Sequence, residues 1–304
     1  MYEHRRENTG AERLYRMKKI SKTQAEILLL IVAIIWGGGF IAGKVALETA
    51  SPLWIIFLRF SLAALCLGIV FFKQIKSAGK ACVRAGLGIG LLQDLALFVQ
   101  LYALQYTTTA KQSFLAATYV MFTPFVAWLI FKKKISIQNY LAAALALIGI
   151  AFLSLNGSLE IQFGDMLTLG FALIFSLQII LMSRISPKFD IISLTFYQML
   201  GAAIFGGIAA FASGMPAELF SHRSMLGILY LGIFNSAVAF VLQNFAQRFT
   251  SESKAALLLS LESVFGLAFS LMFYHDPFTL KMAIGCVLIF LSLMVSNYKP
   301  QNQK

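Results

Sequence analysis

Three ionisable residues, Arg59, Asp94 and Glu262, fall deep inside apolar stretches of the sequence. A charge inside a bilayer is costly, so such residues mark substrate or proton paths, or pair with one another. Arg59 stands about six residues, roughly 9 Å, from one end of its stretch. Asp94 stands near the centre of another, and Glu262 about eight residues, roughly 12 Å, into a third. Similar depth predicts an ion pair between Arg59 and either Asp94 or Glu262, which would act as a strut in a helix bundle. The functional alternative makes Glu262 a lone carboxylate that binds a cationic group or carries a proton. Asp94 would be a second such acid, and Arg59 their partner or an anion contact.

Amide, hydroxyl and aromatic side chains fall at similar depth. They are Gln93, Gln100, Tyr102, Tyr119, Thr123, Gln178, Tyr197, Gln198, Asn235, Ser236, Gln243 and Asn244. Singly, each suits an interhelical hydrogen bond worth about 1 kcal/mol. Together they suffice to line a moderately polar pocket with aromatic walls, and Gln100, Tyr102, Tyr119, Gln178, Asn235 and Gln243 are the candidate contacts. The stretch "WGGGFIAGK" (Trp36 to Lys44) adds three consecutive glycines, each costing about 1 kcal/mol against alanine in a helix. Gly37, Gly38, Gly39 and Gly43 allow close helix packing, with a GxxxG at Gly39/Gly43 and another at Gly86/Gly90. They equally allow a local break that exposes backbone to a cavity. Pro124 offers a hinge in another span. Lys44 lies near enough to a helix end to snorkel to the headgroups.

The elements that must position these residues are helices in a membrane. The 304 residues are 59% hydrophobic and only 12% charged, with mean hydropathy +0.79. A soluble domain carries about 25% charged residues. Ten spans of about twenty apolar residues can be traced, over 25–47, 53–72, 84–106, 113–131, 137–155, 164–183, 191–212, 225–246, 255–274 and 278–296. Connections are short and leave no room for a soluble domain. The first apolar run is too long for the core of a signal peptide and reads as retained. Residues 1–24 form a basic tail, and Met17 makes a tidier start than Met1. With the N-terminus inside, inner segments hold 20 Lys/Arg and outer loops only Lys111, Arg223 and Lys281. That bias predicts a cytoplasmic (inner) membrane protein with both termini in the cytoplasm.

The net charge of +12 sits in short inter-span segments, which argues against nucleic acid. Cys66, Cys82 and Cys286 make no CxxC, and no metal or other cofactor is expected. There is no GxxxxGK[ST] for ATP, no acidic cluster for magnesium diphosphate and no HExxH.

A shift of 139 residues lays "AIIWGGGF" (from Ala33) over "ALIFSLQI" (from Ala172), and "IIFLRF" over "LTFYQM". A shift of 143 lays "QLYALQYTT" over "QNFAQRFTS", Gln100 onto Gln243. Five spans per half is odd, so the halves would be inverted repeats, with a substrate site between them near the midplane.

The segment "WGGGFIAGKVALETASPLWIIFLRFSLAAL" resembles the first repeat of EamA-type carriers in the drug/metabolite transporter superfamily. Trp36, Gly37, Pro52, Arg59 and Phe60 stand at the places of that pattern. "ALLLSLESVFGLAFSLMF" is similar to the family's Leu-Glu-Pro segment, with Ser263 where proline is usual, while the first half holds Thr123-Pro124. The family's Gly-Glu at the ends of spans four and nine is replaced by "FKKKIS" and "FYHDPFT", where Asp276 could stand in. The resemblance covers residues 25–297 and implies two EamA-like repeats, 25–155 and 164–297. It implies a carrier of small metabolites, most often amino acids or related compounds, and frequently export.

The expectation is therefore an all-α integral membrane protein, a secondary transporter working by alternating access. Its partners would be a small-molecule substrate, the lipid bilayer and a coupling proton, and it would be a monomer or homodimer. A membrane-embedded lipid-modifying enzyme would need an acidic or histidine cluster at one face. A nucleotide-sugar or sugar-phosphate carrier would need several basic residues in its cavity, where only Arg59 and Lys44 qualify. A channel, the third option, would pass solute without counterflow.

Overall fold

The computed structural model describes residues 20–132, 135–154, 162–215, 221–250, 255, 258–275 and 279–297. The basic tail before Ile20, both start methionines, Lys133, Lys134, Lys254, Asp276, Lys299 and Lys304 lie outside them. The described residues hold no β-strand.

Seven helices are long and apolar enough to cross a membrane: α1 (Lys22–Ala46), α2 (Pro52–Val70), α3 (Lys80–Ala103), α4 (Thr109–Phe131), α6 (Phe163–Lys188), α7 (Ile191–Ala212) and α8 (His222–Phe249). Three shorter apolar helices complete the set: α5 (Ile137–Phe152), α9 (Leu258–Tyr274) and α10 (Leu280–Val295). A short helix, Phe72–Lys76, links α2 to α3. Local sequence fixes several starts. Ser21 and Gln24 form a capping box at α1, with bonds of 2.8 and 3.1 Å. Pro52 opens α2, where a missing N–H costs nothing, and Asp190 caps α7 through the Ser193 amide at 2.8 Å.

Two expectations need correcting at this level. Helix α4 begins at Thr109, not Ser113, so Lys111 is not an outer-loop residue. It is buried in the first turns of α4, with its Nζ 3.4 Å from Asp165 Oδ2 on α6. Asp165 is fully buried and also accepts from the Thr107 hydroxyl at 2.7 Å.

Small residues bring the helices close. A Cβ on Gly90 of α3 would stand 2.5 Å from the Gln198 carbonyl oxygen of α7, so the two backbones touch there. Gly86 packs against Tyr197 one turn away, and Gly37 of α1 meets Phe265 and the Gly266 amide of α9. Gly43 faces Leu101 of α3 and Leu104 at its C-cap.

Three helices are not regular. Helix α4 breaks at Thr118, whose carbonyl accepts from both Met121 and Phe122 amides, six residues before Pro124. Helix α9 breaks the same way at Leu261, which accepts from Val264 and Phe265. In α8, Tyr230–Val238 is wound as a π-helix, a rare conformation that frequently marks functional sites.

Candidate functional site

A cavity of about 50 Å³ lies beside the π-wound segment of α8 and the α9 break. Helix α1 supplies Trp36, Gly39 and Phe40, α2 Arg59, α3 Leu97, Gln100 and Leu101, and α4 Gln112. Helix α6 adds Phe171 and Phe175, α8 Leu231, Asn235 and Phe240, and α9 Glu262. Part of its wall is aromatic: the Trp36 ring lies edge-on to Phe175 at 6.2 Å and against Phe240 at 5.4 Å. The volume holds a few waters and falls far below the 300–1,000 Å³ typical of a small-molecule pocket.

Arg59 is 2% exposed. Its Nη2 donates to Asn235 Oδ1 at 2.7 Å and to Ser236 Oγ at 2.9 Å, and its Nε donates to Ser236 Oγ at 3.1 Å. The guanidinium also lies 5.2 Å from the centroid of Phe60. The predicted ion pair is absent among the described residues: the ion pairs found there are Lys111–Asp165 and Arg223–Glu48. Neutral oxygens of α8 hold Arg59 instead. The sequence could place the three charges at similar depth but not around the same axis, which is a matter of helix rotation.

Asn235 is the junction of this region. Its Oδ1 accepts from Arg59 of α2, while its Nδ2 donates to the Ile35 carbonyl of α1 at 3.3 Å. Its own carbonyl accepts from Trp36 Nε1 at 3.2 Å. The Tyr230 hydroxyl reaches the same Ile35 carbonyl at 3.0 Å. The glycine run makes room for these contacts. A Cβ on Gly39 would collide with the Asn235 amide, and one on Gly38 with the Tyr230 hydroxyl. Asn235 thus spends both ends of its amide on the protein and orients Arg59.

Glu262 begins the helical segment that follows the Leu261 break and is 5% exposed. It makes no ion pair among the described residues. The Tyr119 hydroxyl of α4 interacts with it electrostatically but makes no hydrogen bond of standard geometry. Tyr119 itself packs edge-on to Phe175 at 5.2 Å.

The remaining candidates divide. Gln100 lines the cavity, and its carbonyl accepts from Gln112 Nε2 at 2.7 Å. Asp94 does not reach it. It is half-buried on α3 against Gly206 of α7, and its Oδ1 has no hydrogen-bond partner. Tyr102 lies in a separate groove with Phe98, Pro52 and Met215, and accepts from the Tyr106 hydroxyl at 3.2 Å. Gln178 and Gln243 are buried on α6 and α8 away from the cavity lining. Gln198 donates to Gln93 at 3.0 Å, and Asn244 to Thr195 at 2.9 Å, as plain interhelical bonds. Pro124 lies past the α4 break, and the Thr123 hydroxyl closes on the Tyr119 carbonyl at 2.8 Å. Lys44 Nζ is held by the Leu104 carbonyl at 3.2 Å. Sequence reasoning missed Gln112, because the span boundary fell one residue beyond it. It also missed Phe175 and Phe240, which are indistinguishable by type from the other 26 phenylalanines.

The family model described as "EamA-like transporter family" matches residues 23–155 and 162–298. An "uncharacterized transporter" of Archaeoglobus fulgidus is 31% identical over 286 residues, 94% of this chain and 87% of that one. The "probable amino-acid metabolite efflux pump" of Escherichia coli is 26% identical over 284 residues, 89% and 93% of the two chains. A solved crystal structure superposes with TM-score 0.67 at 15% identity, covering 90% of this chain and 96% of the other, and so shares the fold. Such relatives are transporters rather than enzymes, and with the apolar helices described above they make this a multi-pass membrane protein that handles small molecules. The chain belongs to the EamA-like transporter family.

Proposed function

We propose that the protein is a secondary active transporter that exports a small metabolite, an amino acid or related compound, from the cytoplasm by alternating access. The observation that carries this reading is the cavity itself. It holds a buried cation, Arg59, and a buried acid, Glu262, neither with a charged partner among the described residues. Lone charges at membrane depth are retained where they serve a solute or ion path. A carboxylate holds either a proton or a cationic group, so exchange of one for the other is the coupling this site allows.

The architecture proposed is ten spans in two inverted five-helix repeats, with both termini cytoplasmic in the cell's inner membrane. Internal correspondence supports it. The breaks at Thr118 and Leu261 are separated by the shift of 143 that aligns Gln100 with Gln243, and they place Tyr119 and Glu262 in equivalent positions. The shift of 139 pairs Trp36 with Phe175, whose rings meet across the cavity. The efflux-pump relative supports the amino-acid class and the direction.

Counterflow in proteoliposomes tests the reading. Liposomes loaded with an amino-acid pool should take up labelled solute saturably, faster with an imposed pH gradient, and Glu262→Gln should abolish the gradient's effect. Uptake that is non-saturable and not accelerated by internal solute would indicate a channel and refute it.

A further inference from the structure

Asp94 stands outside the cavity, on the seam where α3 of the first half runs alongside α7 of the second. Contacts advance together along this seam: Gly86 meets Tyr197, Gly90 meets Gln198 and Ala202, and Asp94 meets Gly206. A Cβ on Gly206 would come within 2.6 Å of Asp94 Oδ1, which is buried without a hydrogen-bond partner. Gln93 Nε2 and Gln198 Oε1, on the same two helices, are also buried and unmet. No cation faces the acid among the described residues. Arg59 of α2 is held by α8, Asp165 of α6 pairs with Lys111, and Arg184 of α6 lies over Phe131. On α7 the Tyr197 hydroxyl turns to the Ile75 carbonyl. Lys80 and Arg84 stand at the other end of α3, about 15 Å or more along its axis. An ionised carboxylate without a partner is too costly in such a place, and the group neutralises by taking up a proton.

A groove of about 450 Å³ opens on the same seam, lined by Phe98 and Tyr102, one and two turns beyond Asp94 on α3. Its mouth lies at helix ends, beside Ser51, the N-cap of α2, and Ser213, the C-cap of α7. That end of the bundle is the outer face in the orientation proposed above.

We infer that Asp94 is a proton-binding site, separate from the solute cavity and fed from the outer face through this groove. Protonated, it lets α3 and α7 pack. Ionised, it needs water, and water reaches it only where the two helices part. The seam joins the two halves, so the charge on Asp94 biases how the halves sit against each other. The unmet Gln93 and Gln198 atoms gain partners in the same opening. This site adds a proton entry to the transport reading above, and the naming of the outer face rests on that reading.

The test uses dicyclohexylcarbodiimide, an apolar reagent that adds to protonated carboxyls and leaves a stable N-acylurea. Leu91 and Leu95 beside Asp94 are exposed on the apolar surface of α3, which gives the reagent a path to it. It is applied to the full-length protein in uniformly oriented proteoliposomes, the pH is varied on one face at a time, and mass spectrometry locates the label. Asp94 should be labelled when the groove face is acidic, and the label should be lost as the pH of that face alone is raised. Raising the pH of the opposite face alone should leave it unchanged. Ser213→Trp, which fills the mouth of the groove, should slow the response to pH. Counterflow is run in parallel, where Asp94→Asn should keep basal exchange and lose the stimulation by a pH gradient. A label that ignores pH on both faces would make Asp94 a permanently neutral strut. A label that follows the opposite face would put its access elsewhere. Either result overturns the inference, as does an Asp94 that does not react. Full gradient stimulation in Asp94→Asn would overturn it too and leave the transport reading standing. The expected labelling in a protein without counterflow would keep the proton site and remove the transport reading.

Discussion

Asn235, on α8, carries more of the site than its size suggests, because it is hydrogen-bonded to both α1 and α2. Replacing it with alanine removes the shortest contact of Arg59 and leaves a buried guanidinium donor unmet. That costs about 1–3 kcal/mol, since the full desolvation of the donor is then uncompensated. Asn235→Ala is therefore expected to lower the melting temperature in detergent and to slow transport, while a serine at this position recovers little of either. An unchanged melting temperature would show that Ser236 alone suffices to hold Arg59. The residue types of this site were legible in the sequence: Arg59, Glu262, Gln100 and Asn235 all line the cavity. Their relations were not. Which neighbour satisfies Arg59 depends on the rotation of α8 about its axis, and the π-wound turn at Tyr230–Val238 alters that rotation without changing hydropathy.

Among the elements, apolar runs of about twenty residues give each helix's existence and approximate ends. The breaks at Thr118 and Leu261 stayed hidden because a kinked apolar helix has the composition of a straight one, and Pro124 lies six residues past the break it accompanies. Close approach of α3 to α7 was signalled by the Gly86/Gly90 spacing, and this gives an internally controlled prediction. At Gly90 a Cβ would meet backbone on α7 at 2.5 Å, whereas at Gly88 nothing lies within 4 Å. Gly90→Ala should destabilise by about 1–3 kcal/mol through overpacking. Gly88→Ala on the same helix should stabilise by up to about 1 kcal/mol through helix propensity. Thermal denaturation of both variants in one detergent decides the matter. Equal shifts would mean that α3 and α7 are not in backbone contact.

Across the whole molecule, the buried Lys111–Asp165 pair ties the start of α4 to the start of α6, the first helix of the second half. Gln162 adds a bond of 2.9 Å from Lys111 Nζ, and Thr107 one of 2.7 Å to Asp165. Removing one partner of such a pair strands a buried charge at a cost of about 3–5 kcal/mol, whereas replacing both with apolar residues is close to neutral. Lys111→Met should thus destabilise strongly, and Lys111→Met/Asp165→Leu should recover most of the loss in the same thermal assay. Additive losses in the double variant would show that the two charges do not pair. The halves meet again at the cavity, where Arg59 and Gln100 from one face Asn235 and Glu262 from the other.

Alternating exposure of that cavity to the two faces of the membrane, proposed above, can be read by accessibility labelling. Cys66, Cys82 and Cys286 are replaced by alanine, a single cysteine is placed at Gln100, and a membrane-impermeant thiol reagent is applied from each face of the reconstituted membrane in turn. Labelling from either face is expected, with the transported solute protecting the cysteine on both. Labelling from one face only, whether or not solute is present, would contradict it.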